Sequence, residues 1–324
     1  MVKLSSREDD LQRSVSKDTT DVRFTVESGD NPPIIAGKLY AANLILDADL
    51  FVDYVRAEGL DTQLEAGTYF LNKAQTIPEI ALALTDSRNS SITFTILEGW
   101  RIEEVAEAID QHPLFGFSGD DFLAVVRQGA AMDSNFATYV GLPLGASLEG
   151  FLYPNTYELP PDITPLQLRN LLTQAFRDTI GVQLAQDSAA QGYTLYQIAT
   201  LASIIEREAV HADEHPLIAS VYRNRLESGI KLDADPTIQY ALNGSRGAWW
   251  PQISVDDYTG VISDYNTYLN FGLPPSPIAN PSISAIRAAV YPAESSYFYF
   301  RAACDGSGYH QFATTFDEHL NNGC

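Results

Sequence analysis

TLYQIATLASIIEREAV, residues 194–210, is the most apolar helix-like stretch of the chain, and it carries two glutamates near its end. Thr194 and Gln197 stand at capping-box spacing, which predicts a helix starting at Leu195. Side chains advance by about 100° per residue, so Leu195, Ile198, Ala199, Ala202, Ile205 and Ala209 share one face. Glu206 falls within that apolar face, whereas Thr200, Arg207 and Glu208 point elsewhere, and Glu208 is expected to be solvated or paired. A carboxylate among alanines is costly when ionised, so burial raises its pKa and holds it protonated near neutral pH. A carboxyl in that state suits general-acid chemistry. The bland alternative is a buried ion pair, with Glu206 held by an arginine such as Arg223 or Arg225.

Around this stretch the chain divides in two. Residues 22–112 alternate short strands and short helices. VRFTVE, AGTYFL and SITFTILEG have strand alternation, and TIPEIALALTD has a capping box at Thr76 and Glu79. The pattern predicts a small α+β module, better suited to binding or positioning than to catalysis. Residues 113–324 are mainly helical, and SSYFYFRAACDGSGYHQFATT places two alternating segments about a Gly-rich turn, a C-terminal β-hairpin. The predicted fold class is therefore α+β. Residues 1–21 are charged and poor in bulky apolar side chains, the composition of a disordered linker.

The 324 residues are 45% hydrophobic and 11% aromatic, enough for two domains and a sizeable core. Twenty basic against 42 acidic side chains leave a net charge of −22. That argues against nucleic acid and against anionic membrane surfaces, both of which select a basic face. No run of 18 apolar residues is present to span a membrane, and the N-terminus lacks a signal peptide's apolar region. The start of the chain is compatible with an upstream anchor that is absent from it. Cys304 and Cys324 are expected to form one bridge closing the last loop in an oxidising compartment, the alternative being two unpaired thiols. His211 and His215 have a metal-compatible spacing if helical, but no third ligand is evident. Neither a metal nor another cofactor is expected.

Several separate stretches, in order, carry a resemblance. They are EAGTY, LEGFLYPNTY, LASIIEREAV, IASVYRNRLESGIKLDADPTIQYAL, DYNTYLNFGLPPSPIANPS and YFYFRAACDGSGYHQFATTFDEH. Together they resemble the YceG-like family, the MltG-type endolytic murein transglycosylases of bacteria, over most of the chain. The resemblance implies a membrane-anchored enzyme outside the cytoplasmic membrane, with a LysM-like N-terminal subdomain. It implies peptidoglycan glycan strands as substrate and peptidoglycan synthases as partners. It also implies one catalytic glutamate, the first of the two in the quoted stretch, which maps onto Glu206. That residue would protonate the glycosidic oxygen between N-acetylmuramic acid and N-acetylglucosamine, then take the proton of the sugar's own C6 hydroxyl as it attacks C1. The product is a 1,6-anhydro end, and the tethered nucleophile needs no water-activating carboxylate. Asn155 stands where the family often has Asp, which puts a carboxylate role there in doubt.

Other residues are candidates for holding the glycan. Glu149 is a possible second carboxylate, or else a residue that positions or caps its loop. Asp235 caps a helix opened by Pro236 or binds a sugar hydroxyl from the cleft, and Thr237 lies in the same DADPTIQY segment. Tyr265, Asn266, Thr267 and Tyr268 offer amides and phenols to N-acetyl groups and to developing positive charge, with turn chemistry as the alternative. Asn224 and Tyr240 belong with them. Trp249 and Trp250 stack on sugars or plug their loop onto the core. Two other functions stay open: a non-catalytic peptidoglycan-binding scaffold, and a two-carboxylate glycoside hydrolase.

Overall fold

A computed structural model of the chain describes residues 7–87 and 90–323. They form two compact units that exchange segments of the chain. The first runs to Phe94 and takes in Ile109–Phe117 and Thr156–Thr164. The second holds Thr95–Ala108, Ser118–Asn155 and the chain from Pro165 onward. The division expected at residue 112 therefore does not mark the units, because the chain passes back and forth between them. Both units mix helices with small two-stranded sheets, and helices dominate.

In the first unit, strands β1 (Val22–Val26) and β2 (Gly67–Leu71) pair antiparallel with Phe24 opposite Tyr69. Helices α2 (Pro32–Ala41), α3 (Ala48–Ala57) and α4 (Ile77–Ala83) cover them. Each helix start is written locally. Asn31 and Asp47 accept from Ile34 N and Leu50 N at 3.1 and 2.9 Å, and Thr76 and Glu79 form the capping box expected from their spacing. Phe24, Val26, Ile35, Leu39, Phe51, Val55, Tyr69 and Ile80 fill the core. The stretch expected to be a linker differs from expectation. Residues 1–6 lie outside the described residues, but helix α1 (Glu8–Leu11) follows them and buries Leu11 in this core. One apolar residue at the right place recruits an otherwise polar segment. Strands β3 (Ile92–Thr95) and β4 (Thr156–Leu159) make a second sheet.

The second unit is helical, with α5 (Ile102–Gln111) opening in it. Helices α6 (Gly119–Val126), α7 (Ser134–Val140) and α8 (Pro165–Ala190, kinked at Gly181) lead to α9 (Leu195–Glu208). Then come α10 (His215–Glu227), α11 (Asp235–Leu242), α12 (Asp257–Gly260) and α13 (Ile283–Val290). The hairpin β5 (Tyr299–Ala302) and β6 (His310–Ala313) and helix α14 (Phe316–Asn321) close the unit. Helix α9 is its axis: it starts at Leu195 behind the Thr194–Gln197 capping box and packs against α8, α10, α11 and α13. Leu195, Tyr196 and Ile198 through Ile205 are all buried. Truncating an aliphatic side chain in such a core costs about 2–5 kcal/mol. From Ile198 to Ile205 the helix therefore has no solvent face. Thr200, expected to point away from the core, is buried and donates to the Tyr196 carbonyl at 2.8 Å.

Candidate active site

The two glutamates at the end of α9 leave the helix on different sides. Glu206 is half-buried against the start of α13. Its Oε2 accepts from Ser282 N at 2.9 Å and from Ser282 Oγ at 2.5 Å. Ser282 in turn caps α13 by accepting from Ala285 N at 3.2 Å. A carboxylate next to a helix N-terminus is favourably placed. The other side of Glu206 meets the 98–100 loop. At Gly99, φ is +77° and a Cβ would lie 3.6 Å from Glu206 Cγ and 3.1 Å from an Arg207 nitrogen, so both backbone and space call for glycine. Burial raises the pKa of Glu98, and the nearby Glu206 raises it further.

Fully buried Asn280 ties this region together. Its carbonyl accepts from Gly99 N at 2.8 Å and its N–H donates to the Trp100 carbonyl at 2.7 Å. Its side-chain oxygen accepts from Gly150 N and Leu152 N at 3.1 and 2.9 Å, and its amide nitrogen donates to the Trp100 carbonyl at 2.9 Å. Glu206 forms no ion pair among the described residues, so neither Arg223 nor Arg225 holds it. It does not line the large cavity of this unit either. Glu206 is a joint between α9 and α13.

Glu208 faces that cavity, which measures about 640 Å³. Its walls come from α9, α10, the 232–235 segment, Tyr258, Tyr268, the hairpin and α14. The residue as a whole is half-buried and its carboxyl is the enclosed part. Burial pushes the carboxyl up to about 7, opposed by a hydrogen bond from Tyr222, with Asp235 raising it further and Arg225 lowering it. Tyr222 Oη donates to Glu208 Oε1 at 2.5 Å, and burial and the carboxylate hold that phenol well above its ordinary range. Arg225 is committed elsewhere. It donates to the Phe298, Lys231 and Leu232 carbonyls and to Asp233 Oδ2, at 2.6 to 3.1 Å. Glu208 is thus neither solvated nor salt-bridged: it is a carboxyl on a cavity wall, pushed up to about 7 chiefly by burial.

The binding candidates separate into two groups. Asp235 and Tyr268 line the cavity, where Tyr268 Oη donates to Asp235 Oδ1 at 2.6 Å and stacks on Tyr258 with centroids 4.2 Å apart. Asp235 is not the cap of α11; Ala234 occupies that position and Asp235 turns to the cavity. Thr237, Asn266 and Thr267 are fully buried and engaged with protein. Asn266 donates to the Tyr258 and Val261 carbonyls and accepts from Tyr268 N. Thr267 Oγ1 lies 3.0 Å from Thr237 Oγ1 and accepts from Ala234 N at 3.0 Å. These three fix the start of α11 to the 266–268 segment and so hold Asp235 and Tyr268 in register. Asn224 donates to the Ser295 and Tyr297 carbonyls and places the approach to the hairpin.

Glu149 is fully buried and accepts from Ile102 N at 3.2 Å at the start of α5 and from Tyr240 Oη at 3.4 Å. Burial first and Glu103 second hold it well above the carboxylate range. It is a loop anchor away from the cavity. Tyr240 stacks beneath Arg101 at 4.1 Å, and Tyr265 bonds Ser276 Oγ at 2.6 Å. Trp249 and Trp250 donate to Glu107 and Glu104 at 3.0 Å and face Arg101 and Arg207, so they plug their loop. Cys324 lies outside the described residues, so its pairing with Cys304 is not described. His211 and His215 do not meet: His211 stacks on Tyr309 and His215 bonds Ser284. Residues missed from the sequence include Tyr222, His310 and Ser282. Ser282 stands in the quoted ANPS run and His310 in the quoted GYHQF run, where their neighbourhoods drew attention and their side chains did not.

Comparison with known proteins agrees over nearly the whole length. The YceG-like family matches residues 24–323. The endolytic murein transglycosylase of Bacillus subtilis (strain 168) is 28% identical over 326 residues, covering 95% of this chain and 86% of that protein. Its counterpart of the same name in Streptococcus pneumoniae (strain R6) is 28% identical over 93% of this chain, which spans 57% of that longer protein. The crystal structure of a yceG-like protein from Listeria monocytogenes superposes with a TM-score of 0.61 at 29% identity, covering 94% of this chain and 99% of that one. The chain belongs to the YceG-like family.

Proposed function

We propose that this protein is an endolytic murein transglycosylase, with Glu208 as its acid. It cleaves the β-1,4 bond between N-acetylmuramic acid and N-acetylglucosamine inside glycan strands. The Glu208 carboxyl gives its proton to the leaving glycosidic oxygen as the C1–O bond breaks, and the C6 hydroxyl of the muramic acid closes on C1, its proton passing to the Glu208 carboxylate so formed, to leave a 1,6-anhydro end. The observation that carries this reading is the enclosed carboxyl of Glu208 on the wall of the 640 Å³ cavity, pushed up to about 7. A general acid works best with a pKa near the working pH. The names of the relatives at 28% identity supply the substrate class.

The acid role moves from Glu206 to Glu208 because Glu206 lies outside the cavity and is bound by Ser282. A hydrolase that pairs Glu149 with Glu206 is disfavoured, since Glu149 is sealed at the start of α5. Tyr258, Tyr268 and Tyr299 add aromatic surface to the cavity wall, and Asp235 offers a hydroxyl acceptor. The first unit serves as a LysM-like glycan-holding module. Catalysis takes place outside the cytoplasmic membrane beside peptidoglycan synthases. Mass analysis of products from purified peptidoglycan tests the reading. Wild type is expected to release muropeptides one water lighter than hydrolysis products, and Glu208→Gln to release almost none. Hydrolytic ends from wild type, or full activity in Glu208→Gln, would overturn it.

A further inference from the structure

The carboxyls that line the cavity are all engaged away from its hairpin end. Asp233 Oδ2 accepts from Arg225 at 3.0 Å, Asp235 Oδ1 from Tyr268 Oη at 2.6 Å, and Glu208 Oε1 from Tyr222 Oη. The basic groups divide differently. Arg225 is held by Asp233 and by backbone carbonyls, and His310 by buried Glu214, whose Oε2 lies 2.9 Å from Nδ1. Arg301 and His319 also line the cavity, and no carboxylate pairs with either among the described residues. Their placement follows from the hairpin. Side chains alternate along a strand, so Tyr299 and Arg301 share the side of β5 that α14 covers. Tyr299 meets Phe316 and His319 there, with centroids 5.8 and 5.4 Å apart, while Phe300 turns to Tyr222 and His310. Arg301 is half-buried, and its Nη1 donates to the His319 carbonyl over a long 3.4 Å. Its Nε and Nη2 have no hydrogen-bond partner among the described residues, and they are not sealed from solvent. His319 Nδ1 is enclosed without a partner. Burial first, then Arg301 and Arg225, pull the His319 imidazole down from its ordinary range, so this corner of the cavity is short of negative charge.

We propose that Arg301, with His319 beside it, determines specificity by binding a carboxylate of the peptide stem carried by a muramic acid residue in the cavity. The inference rests on the transglycosylase reading above. Nε–H and Nη2–H lie side by side on the guanidinium, the fork that matches the two oxygens of a carboxylate. A sugar hydroxyl or an N-acetyl group is neutral and gains less from that fork. The chain as a whole carries a charge of −22 and repels an anionic strand, so a local cation has to single out the stem. Glu208, Asp233 and Asp235 stand on the α9 and 232–235 walls, which leaves the corner between the hairpin and α14 as the part of the cavity that favours an anion. The bond to the His319 carbonyl uses one nitrogen of Arg301 and steadies α14, and the free fork is what remains for a ligand.

Synthetic glycan strands whose stems carry either free or amidated carboxyls test the site on the full chain. Wild type is expected to form anhydro ends on the free-carboxyl strands with a KM lower by about 10–100-fold, the worth of a charge-assisted hydrogen bond, and with similar kcat. Arg301→Gln is expected to bring the two KM values together. Arg301→Lys keeps the charge without the fork and is expected to retain part of the difference. In Glu208→Gln, where turnover is blocked, calorimetry is expected to give Kd values for the two strands that differ by the same ratio. Equal KM and equal Kd for the two strands, or a preference kept in full by Arg301→Gln, would overturn the site. Should Arg301→Gln not fold by circular dichroism, the two strands on wild type decide alone. Absence of anhydro ends from both strands would overturn the transglycosylase reading instead, and the Kd ratio would still decide whether the stem carboxylate is bound.

Discussion

Glu206 and Glu208 sit two positions apart on α9, and the two sides of the helix ask opposite things of a carboxylate. On one side, the start of α13 offers an N–H and a hydroxyl from Ser282, and the carboxylate serves as a joint. On the other, α10 offers a single phenol, Tyr222, and the carboxyl is pushed up to about 7 beside an open cavity. Burial that a single donor does not offset raises the pKa of a carboxyl. The number and kind of donors supplied by neighbouring elements thus distinguishes the two carboxyls.

The largest effect should appear when each side is neutralised in turn. Glu208→Gln is expected to lower release of anhydro-ended muropeptides by about 10²–10⁴-fold. Glu206→Gln is expected to stay within about ten-fold and to lose stability by about 1–2 kcal/mol, because its oxygen still accepts from Ser282 without the charge. Chromatography of muropeptides with urea melts of both variants would show whether the contrast holds. The reverse pattern would make Glu206 the acid.

Next in size is Asn280→Ala. It strips partners from Gly150 N, Leu152 N and the Trp100 carbonyl in a buried setting. An expected loss on the order of 3 kcal/mol follows from leaving several such groups unpaired. Urea unfolding measures it, and a loss under about 1 kcal/mol would mean that Asn280 is not the tie described.

The pH dependence of stability sharpens the Glu208 side. Its folded pKa of about 7 lies above the ordinary carboxylate value, so between the two the native state keeps a proton that the unfolded chain has released. Stability contributed by this group is therefore full below the unfolded value and is lost as pH rises to about 7. Wild type should lose on the order of 3 kcal/mol more than Glu208→Gln between pH 4.5 and 8. Equal slopes would mean that Glu208 titrates as it does when unfolded. The smallest effect is Ser282→Ala, about 1 kcal/mol of stability for a lost cap and hydroxyl, with near-normal turnover.

Much of the fold was legible in local chemistry. The Thr194–Gln197 and Thr76–Glu79 boxes placed the starts of α9 and α4, and the Gly-rich turn placed the terminal hairpin. The choice between the glutamates was not legible. A helical wheel assumes one wet face, and α9 is surrounded, so its periodicity says which residues lie opposite each other and not what lies there. The same limit hid Ser282 and His310, whose partners come from far along the chain. Buried Asn266, Thr267 and Thr237 have the chemistry of a sugar site, but they hold the wall from behind; residue type alone does not tell a ligand contact from its support.

Difference infrared titration of the carboxyl band between wild type and Glu208→Gln tests most directly whether the fold keeps a proton on Glu208. The protonated-carboxyl band absent from the variant should be half lost near pH 7. A band already gone by about pH 5, within the ordinary carboxylate range, would contradict the assignment of Glu208 as the acid.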